Sequence, residues 1–234
     1  MPSLLKALSS QVGRKLLTGL TGVALIAFIV VHLVGNLTLF GPPDAFNMYA
    51  YKLHSLGPLL WIAEIGLVAV FAIHSYIGLS IWWNRRRARP QKYHVYSSKG
   101  APSRQSLSSK TMAFTGVVML IFIVFHVRAF KYGETTMTSI PGVDYPVKDL
   151  KALVITSFLD PVMAFAYTFV MLLLGAHLGH GIWSAMISLT LSNPQRSAAV
   201  YTAGTIIAAL LSVGFLFIPL YIYFTGGQGA LIQY

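Results

Sequence analysis

The sequence predicts an all-α fold: an integral membrane bundle of five transmembrane helices, with the N-terminus cytoplasmic and the C-terminus outside. Three observations predict it. Of 234 residues, 56% are hydrophobic and only 10% charged, against about 25% charged in soluble domains, and a chain of this length cannot build a core large enough to hide that apolar surface from water. The charges leave five uncharged stretches, each with room for about 20 helical residues, the length that crosses about 30 Å of hydrocarbon. The cations fall mainly on alternate connections, as the positive-inside rule requires.

The first helix is expected over about residues 14–40, between Lys15 and Asp44. Lys6, Arg14 and Lys15 ahead of an apolar run resemble a secretion signal. The run is too long for one, and no small-residue cleavage pattern follows. Gly41-Pro42-Pro43-Asp44 and Gly57-Pro58 punctuate the connection to the second helix, expected over about 58–84 with Glu64 near its start. A polar, basic loop from Ala88 to Ser109 precedes the third helix, about 111–131, the shortest run. It holds together as a span if Arg128 snorkels or lies beside a buried anion. A loop from Gly133 to Lys151 leads to the fourth helix, about 155–191, whose apolar run follows Asp160 and Pro161. Ser192-Asn193-Pro194 breaks the chain before the fifth, about 198–224. No internal repeat or low-complexity tract is expected, and residues 1–234 read as one domain.

Orientation follows from Lys and Arg. Lys6, Arg14 and Lys15, the eight cations between Arg85 and Lys110, and Arg196 would share one side, with only Lys52, Arg128, Lys131, Lys148 and Lys151 on the other. The richer side is the cytoplasm. All six acids, Asp44, Glu64, Glu134, Asp144, Asp149 and Asp160, fall on the opposite side. Trp61, Trp82, Trp83, Trp183, Tyr221, Tyr223 and Tyr234 stand where interfacial anchors are expected. Topology thus accounts for the net charge of +11, and no nucleic-acid partner is expected. Cysteine is absent, which excludes disulfides, thiolate-bound zinc and iron–sulfur ligation in this chain and leaves histidine as the strong metal ligand.

Five of the seven histidines lie inside spans: His32, His74 and His126 in the first three helices, His177 and His180 in the fourth. Ionisable residues inside a membrane are costly and mark function. Counted from the outer boundaries at about 1.5 Å per residue, His32 lies roughly 13 Å deep and His126 roughly 7 to 10 Å, whereas His74 and His177 both lie roughly 24 Å deep. Two depths, each with two imidazoles, suit two six-coordinate haem irons, whose porphyrins leave two axial positions each. Without cysteine these would be b-type haems. Gly35, Gly78, Gly175, Gly179 and Gly181 near the histidines serve either close approach of a flat cofactor or helix packing. Spacing alone leaves the choice between His177 and His180 open. His54 and His94 read as solvent-exposed.

Five helices carrying His32, His74, His126 and His177-Leu178-Gly179-His180-Gly181 resemble the cytochrome b membrane anchor of succinate dehydrogenase and fumarate reductase, in its single-chain di-haem form. The similarity covers about residues 11–225. It implies His32 and His126 on one haem iron, His74 and His177 on the other, and His180 beside the latter rather than on it. It further implies a flavoprotein subunit and an iron–sulfur subunit as partners, and a membrane quinone, commonly menaquinone, as the electron carrier. The protein is thereby expected in the cell (inner) membrane, as the part of a succinate dehydrogenase (quinone) that binds no dicarboxylate. Arg85, Arg86, Arg87, Arg89, Lys92, Lys99, Arg104 and Lys110 would face the iron–sulfur subunit or anionic lipid, or serve topology alone.

Three further roles follow as expectations. Arg128 and Lys131, near His126, are candidates to pair with haem propionates, or they mark the helix end. Glu64, the only carboxylate within the second span and roughly 9 Å below Pro58, is the candidate to accept protons from quinol, or is structural. Two other readings compete: a di-haem cytochrome b of a hydrogenase, formate dehydrogenase or nitrate reductase, and a transporter whose histidines relay protons.

Overall fold

A computed structural model describes residues 4–88, 107–193 and 195–227. Helices are α1 (Leu4–Ser9), α2 (Gln11–Leu37, continued by a 3-10 turn over Thr38–Phe40), α3 (Ala45–His54), α4 (Pro58–Arg87) and α5 (Leu107–Phe130). They continue with α6 (Leu150–Leu159), α7 (Pro161–Ser188) and α8 (Ser197–Thr225). Strands β1 (Met137–Thr138) and β2 (Val147–Lys148) pair antiparallel, Met137 opposite Lys148.

Five helical stretches, Gln11–Phe40, Pro58–Arg87, Leu107–Phe130, Pro161–Ser188 and Ser197–Thr225, are long and apolar enough to cross a membrane. Large apolar side chains along them stay exposed, among them Ile62, Val68, Phe125 and Leu210. Lipid is the solvent such surfaces match. The chain is a multi-pass membrane protein.

The connections hold more structure than the sequence suggests. The predicted loop between the first two spans contains α3, and the loop from Gly133 to Lys151 contains the β1–β2 pair and the start of α6. The predicted fourth helix over 155–191 is two helices that break at Asp160. Pro161 forces its predecessor toward extended backbone, and Asp160 takes ψ of 122°. The Asp160 carboxylate then accepts the Met163 N–H at 2.8 Å, capping α7 with Pro161 at its first position, where a missing N–H costs nothing. Asp149 caps α6 in the same way through Ala152 N at 2.9 Å. Buried Asn47 of α3 donates to that carboxylate at 2.9 Å and accepts the Lys151 N–H at 3.0 Å. Its polar side chain is thereby satisfied at both ends.

α7 stops in a turn in which Leu191 N–H reaches the Met186 carbonyl at 2.9 Å, with Thr190 at φ of 58°. That left-handed position favours glycine, and a β-branched residue there is strained. Thr190 is exposed. Thr190→Gly is therefore expected to stabilise the protein by about 1 kcal/mol, read as a higher melting temperature in detergent; an unchanged or lower one would show that the strain is relieved in some other way.

The chain divides into two compact units, and each of the five long helices contributes to both. The first consists of the described parts of Met1–Ala27, Gly66–Val117 and Leu174–Leu210, the second of those of Phe28–Ile65, Val118–Leu173 and Leu211–Tyr234. In the first unit a Cβ on Gly204 would stand 2.9 Å from Ile182 Cγ2, so α7 and α8 approach at a distance only glycine permits. There Ser108 Oγ donates to the Ala176 carbonyl, tying α5 to α7. The second unit is built on Leu39, Ile155, Phe158 and Ile222. In it, buried Ser212 of α8 donates to the Met171 carbonyl of α7 at 2.7 Å.

Candidate functional site

In the second unit α2 and α5 each present a histidine to the other. The His32 and His126 ring centres lie 5.8 Å apart with their planes at 89°. One helical turn earlier on each helix stands a phenylalanine on the same face. Phe28 stacks on His32 at 5.4 Å and 14°, and Phe122 on His126 at 5.4 Å and 29°. Phe215 of α8 lies 5.8 Å from His32. Phe130 and Tyr167 lie 5.4 Å and 6.0 Å from His126, with Tyr167 Oη 3.5 Å from its Nδ1.

In the first unit His177 of α7 lies within electrostatic reach of His74 of α4 and of His180. The His74 and His177 rings each meet a threonine from a neighbouring helix. Thr21 Oγ1 of α2 is 3.1 Å from His74 Nδ1, and Thr115 Oγ1 of α5 is 3.0 Å from His177 Nδ1. The residue after each threonine is glycine, and a Cβ there would stand 3.5 Å from His74 Cε1 at Gly22 and 3.4 Å from His177 Cε1 at Gly116. Among the described residues His180 Nδ1 is buried without a hydrogen-bond partner, unlike His177 Nδ1.

Among the described residues no three of His, Cys, Asp and Glu gather as a metal site. What the helices bring together is pairs, and two imidazoles suffice where a macrocycle supplies four donors. With metal–nitrogen bonds of about 2 Å, imidazoles on opposite sides of one ion have ring centres about 6 Å apart, which the His32–His126 separation fits. Gly78 and Gly181 each lie one turn beyond a paired histidine, and nothing stands within 4 Å of where their Cβ would be, which also suits a flat group against the helix. Gly35 instead serves packing: a Cβ there would stand 2.6 Å from the Tyr49 ring.

Glu64 does not stand alone in its helix. It forms an ion pair with Lys131 at the end of α5, both side chains being about one-third exposed. The Lys131 ammonium also lies 5.6 Å from the Trp61 ring and 5.8 Å from the Tyr132 ring. Lys131 is thus placed on Glu64. Arg128 is exposed beside Ile123, Val124, Val127 and Tyr132. Two residues along a helix is more than half a turn, so the structure does not bring Arg128 to the face that carries His126. His54 is exposed and donates from Nδ1 to the Ala50 carbonyl at 3.0 Å. Arg86 and Arg87 stack over Trp82 and Trp83 at 4.6 Å and 5.4 Å. Arg89, Lys92, His94, Lys99, Arg104 and Tyr234 lie outside the described residues.

Reading residues one helix at a time missed Thr21 and Thr115, and with them a repeat. Contrary to the expectation of no repeat, Thr-Gly-Val recurs at 21–23 and 115–117, and Phe-Ile-Val at 28–30 and 122–124. Both segments end in histidine, His32 and His126. Each segment contributes its Thr-Gly to a histidine of the first unit and its own Phe and His to the second. Aligning α2 with α5 on their histidines would have found it. No protein-family model, curated protein or solved structure matches this chain.

Proposed function

We propose that this protein is the di-haem cytochrome b anchor of a succinate:quinone oxidoreductase, holding one b haem in each unit and a quinone beside the second. The observation that carries the haem reading is the His32–His126 pair, its ring centres 5.8 Å apart in one unit; in the other unit His177 has both His74 and His180 within electrostatic reach. A transporter relay needs a chain of exchangeable groups. The aromatic packing of Phe28, Phe122, Phe130 and Tyr167 around the first pair suits an apolar cofactor pocket better. The flavoprotein and iron–sulfur partners rest on the family resemblance, as do the dicarboxylate and a place in the inner membrane; a cytoplasmic N-terminus rests on the distribution of cations.

When bound, haem supplies one-electron transfer. The residues of this chain hold it and handle protons. His32 and His126 would hold one haem, and His74 and His177 the other. Glu64, about one-third exposed near the start of α4, accepts the proton that a quinol hydroxyl must lose on oxidation. Lys131 holds that carboxylate in place, while Trp61 and Tyr132 offer flat apolar surfaces for a ring.

The test is the purified protein with whatever co-purifies. Two haems per chain, released intact by acid acetone and with a b-type reduced spectrum, are expected, alongside a flavin-containing and an iron–sulfur subunit. Absence of haem would overturn the cytochrome reading. Haem with hydrogenase, formate dehydrogenase or nitrate reductase subunits would keep the cytochrome and overturn the succinate assignment.

A further inference from the structure

We propose that Thr21 and Thr115 are positioning residues for the ligand histidines of the first unit: each hydroxyl accepts the Nδ1–H of the facing imidazole and so fixes the tautomer that leaves Nε2 as the metal-binding nitrogen. The proposal rests on the haem reading and deepens it.

A threonine hydroxyl has one proton to give and two lone pairs to receive with. Thr21 Oγ1 lies 2.7 Å from the Leu17 carbonyl and 3.2 Å from that of Thr18. Thr115 Oγ1 lies 3.2 Å from the Thr111 carbonyl and 3.1 Å from that of Met112. Each proton is taken by its own helix, the usual back-bond of threonine. What remains toward the histidine is a lone pair, so the imidazole must be the donor. A histidine that ligates metal through one nitrogen is held and made more basic by an acceptor on the other.

A Cβ on the glycine next to each threonine would make only ordinary contact with the Cε1 edge of the ring, so the hydroxyl is the group that positions it. The same threonine contact recurs on two helices, at equivalent positions of one repeated segment, so a chance contact is a poor account of it. Among the described residues Thr21 is the side-chain partner of His74 Nδ1 and Thr115 that of His177 Nδ1. The second unit is built differently, with a 3.5 Å contact from Tyr167 at His126.

The experiment is redox titration and low-spin electron paramagnetic resonance of the purified complex carrying Thr21→Val or Thr115→Val, which keep shape and remove the hydroxyl. Losing an acceptor makes the imidazole a weaker donor and destabilises ferric iron. Both variants should therefore raise the midpoint of one and the same haem, alter its resonance signal and lower its retention about 10-fold, leaving the other haem as it was. Serine at either position should restore the parent values, and Thr111→Val, which removes a hydroxyl bonded only within α5, should change nothing. If a valine chain fails to assemble, the alanine variant gives the same readouts. Unmoved midpoints and signals, changes in two different haems, or no rescue by serine would overturn the proposal while the haem reading stands. A parent protein without haem would overturn both.

Discussion

Replacing His74 by alanine is expected to halve the haem content, from two per chain to one, and to leave the spectrum of the remaining haem close to the parent. The expectation comes from where the contacts of each pair originate. His74 stands on α4, its ring meets Thr21 and the Gly22 backbone of α2, and its partner His177 stands on α7. The rings around His32 and His126 are Phe28, Phe122, Phe130, Tyr167 and Phe215, and none of them comes from α4. On the proposed reading, removing one imidazole would leave that haem with a single protein ligand, which alanine could not replace. His126→Ala should produce the complementary loss. Equal loss of both haems from a well-assembled single variant would contradict the pairing. The same comparison decides between the two histidines of α7: His177→Ala should lose the haem that His74→Ala loses, and His180→Ala should retain more of it. His177 is anchored through Nδ1 to Thr115, whereas His180 Nδ1 has no partner. The reverse order would transfer the ligand role to His180.

The spans were legible because a charge in mid-bilayer is so costly that its absence over about 20 residues carries the signal. Their ends were not legible to the same degree. Asp160-Pro161 was read as an entrance to the fourth helix, which it is, but Leu150–Leu159 before it was split between the end of a loop and the start of that same helix. That short helix depends on Asn47, about a hundred residues away in sequence, to satisfy the Lys151 N–H and the Asp149 carboxylate. Nothing local announces such a contact. The nearness of His32 to His126 was legible through depth, since helical rise converts residue number into height. The partners of His74 and His177 were not, because a threonine inside an apolar helix reads as a residue bonded to its own backbone. Thr21 and Thr115 do that and also face a ring on another helix. Glu64 illustrates the same limit: a lone acid was expected, and Lys131 sits on it.

Glu64→Gln is expected to cut quinone-linked turnover about 10²- to 10⁴-fold, the range over which a positioned proton acceptor contributes. Both haems should remain, and succinate oxidation with an artificial acceptor at the dehydrogenase subunits should continue. The variant also removes the ion pair with Lys131, so by itself it does not separate chemistry from structure. Lys131→Met removes the same ion pair and keeps the carboxylate. A pair exposed to this degree contributes little to stability, about 0–1 kcal/mol, so neither variant should unfold the protein. If Glu64 takes the quinol proton, glutamine should be far worse than the Lys131 variant, and Glu64→Asp, which keeps the acid on a shorter arm, should fall between glutamine and the parent. If the pair only fastens α4 to α5, Glu64→Gln and Lys131→Met should reduce turnover alike and aspartate should offer no rescue. Unchanged quinone turnover in Glu64→Gln would remove Glu64 from the reaction and leave Trp61 and Tyr132 without a chemical neighbour, so the quinone would have to react somewhere other than this edge of the second unit.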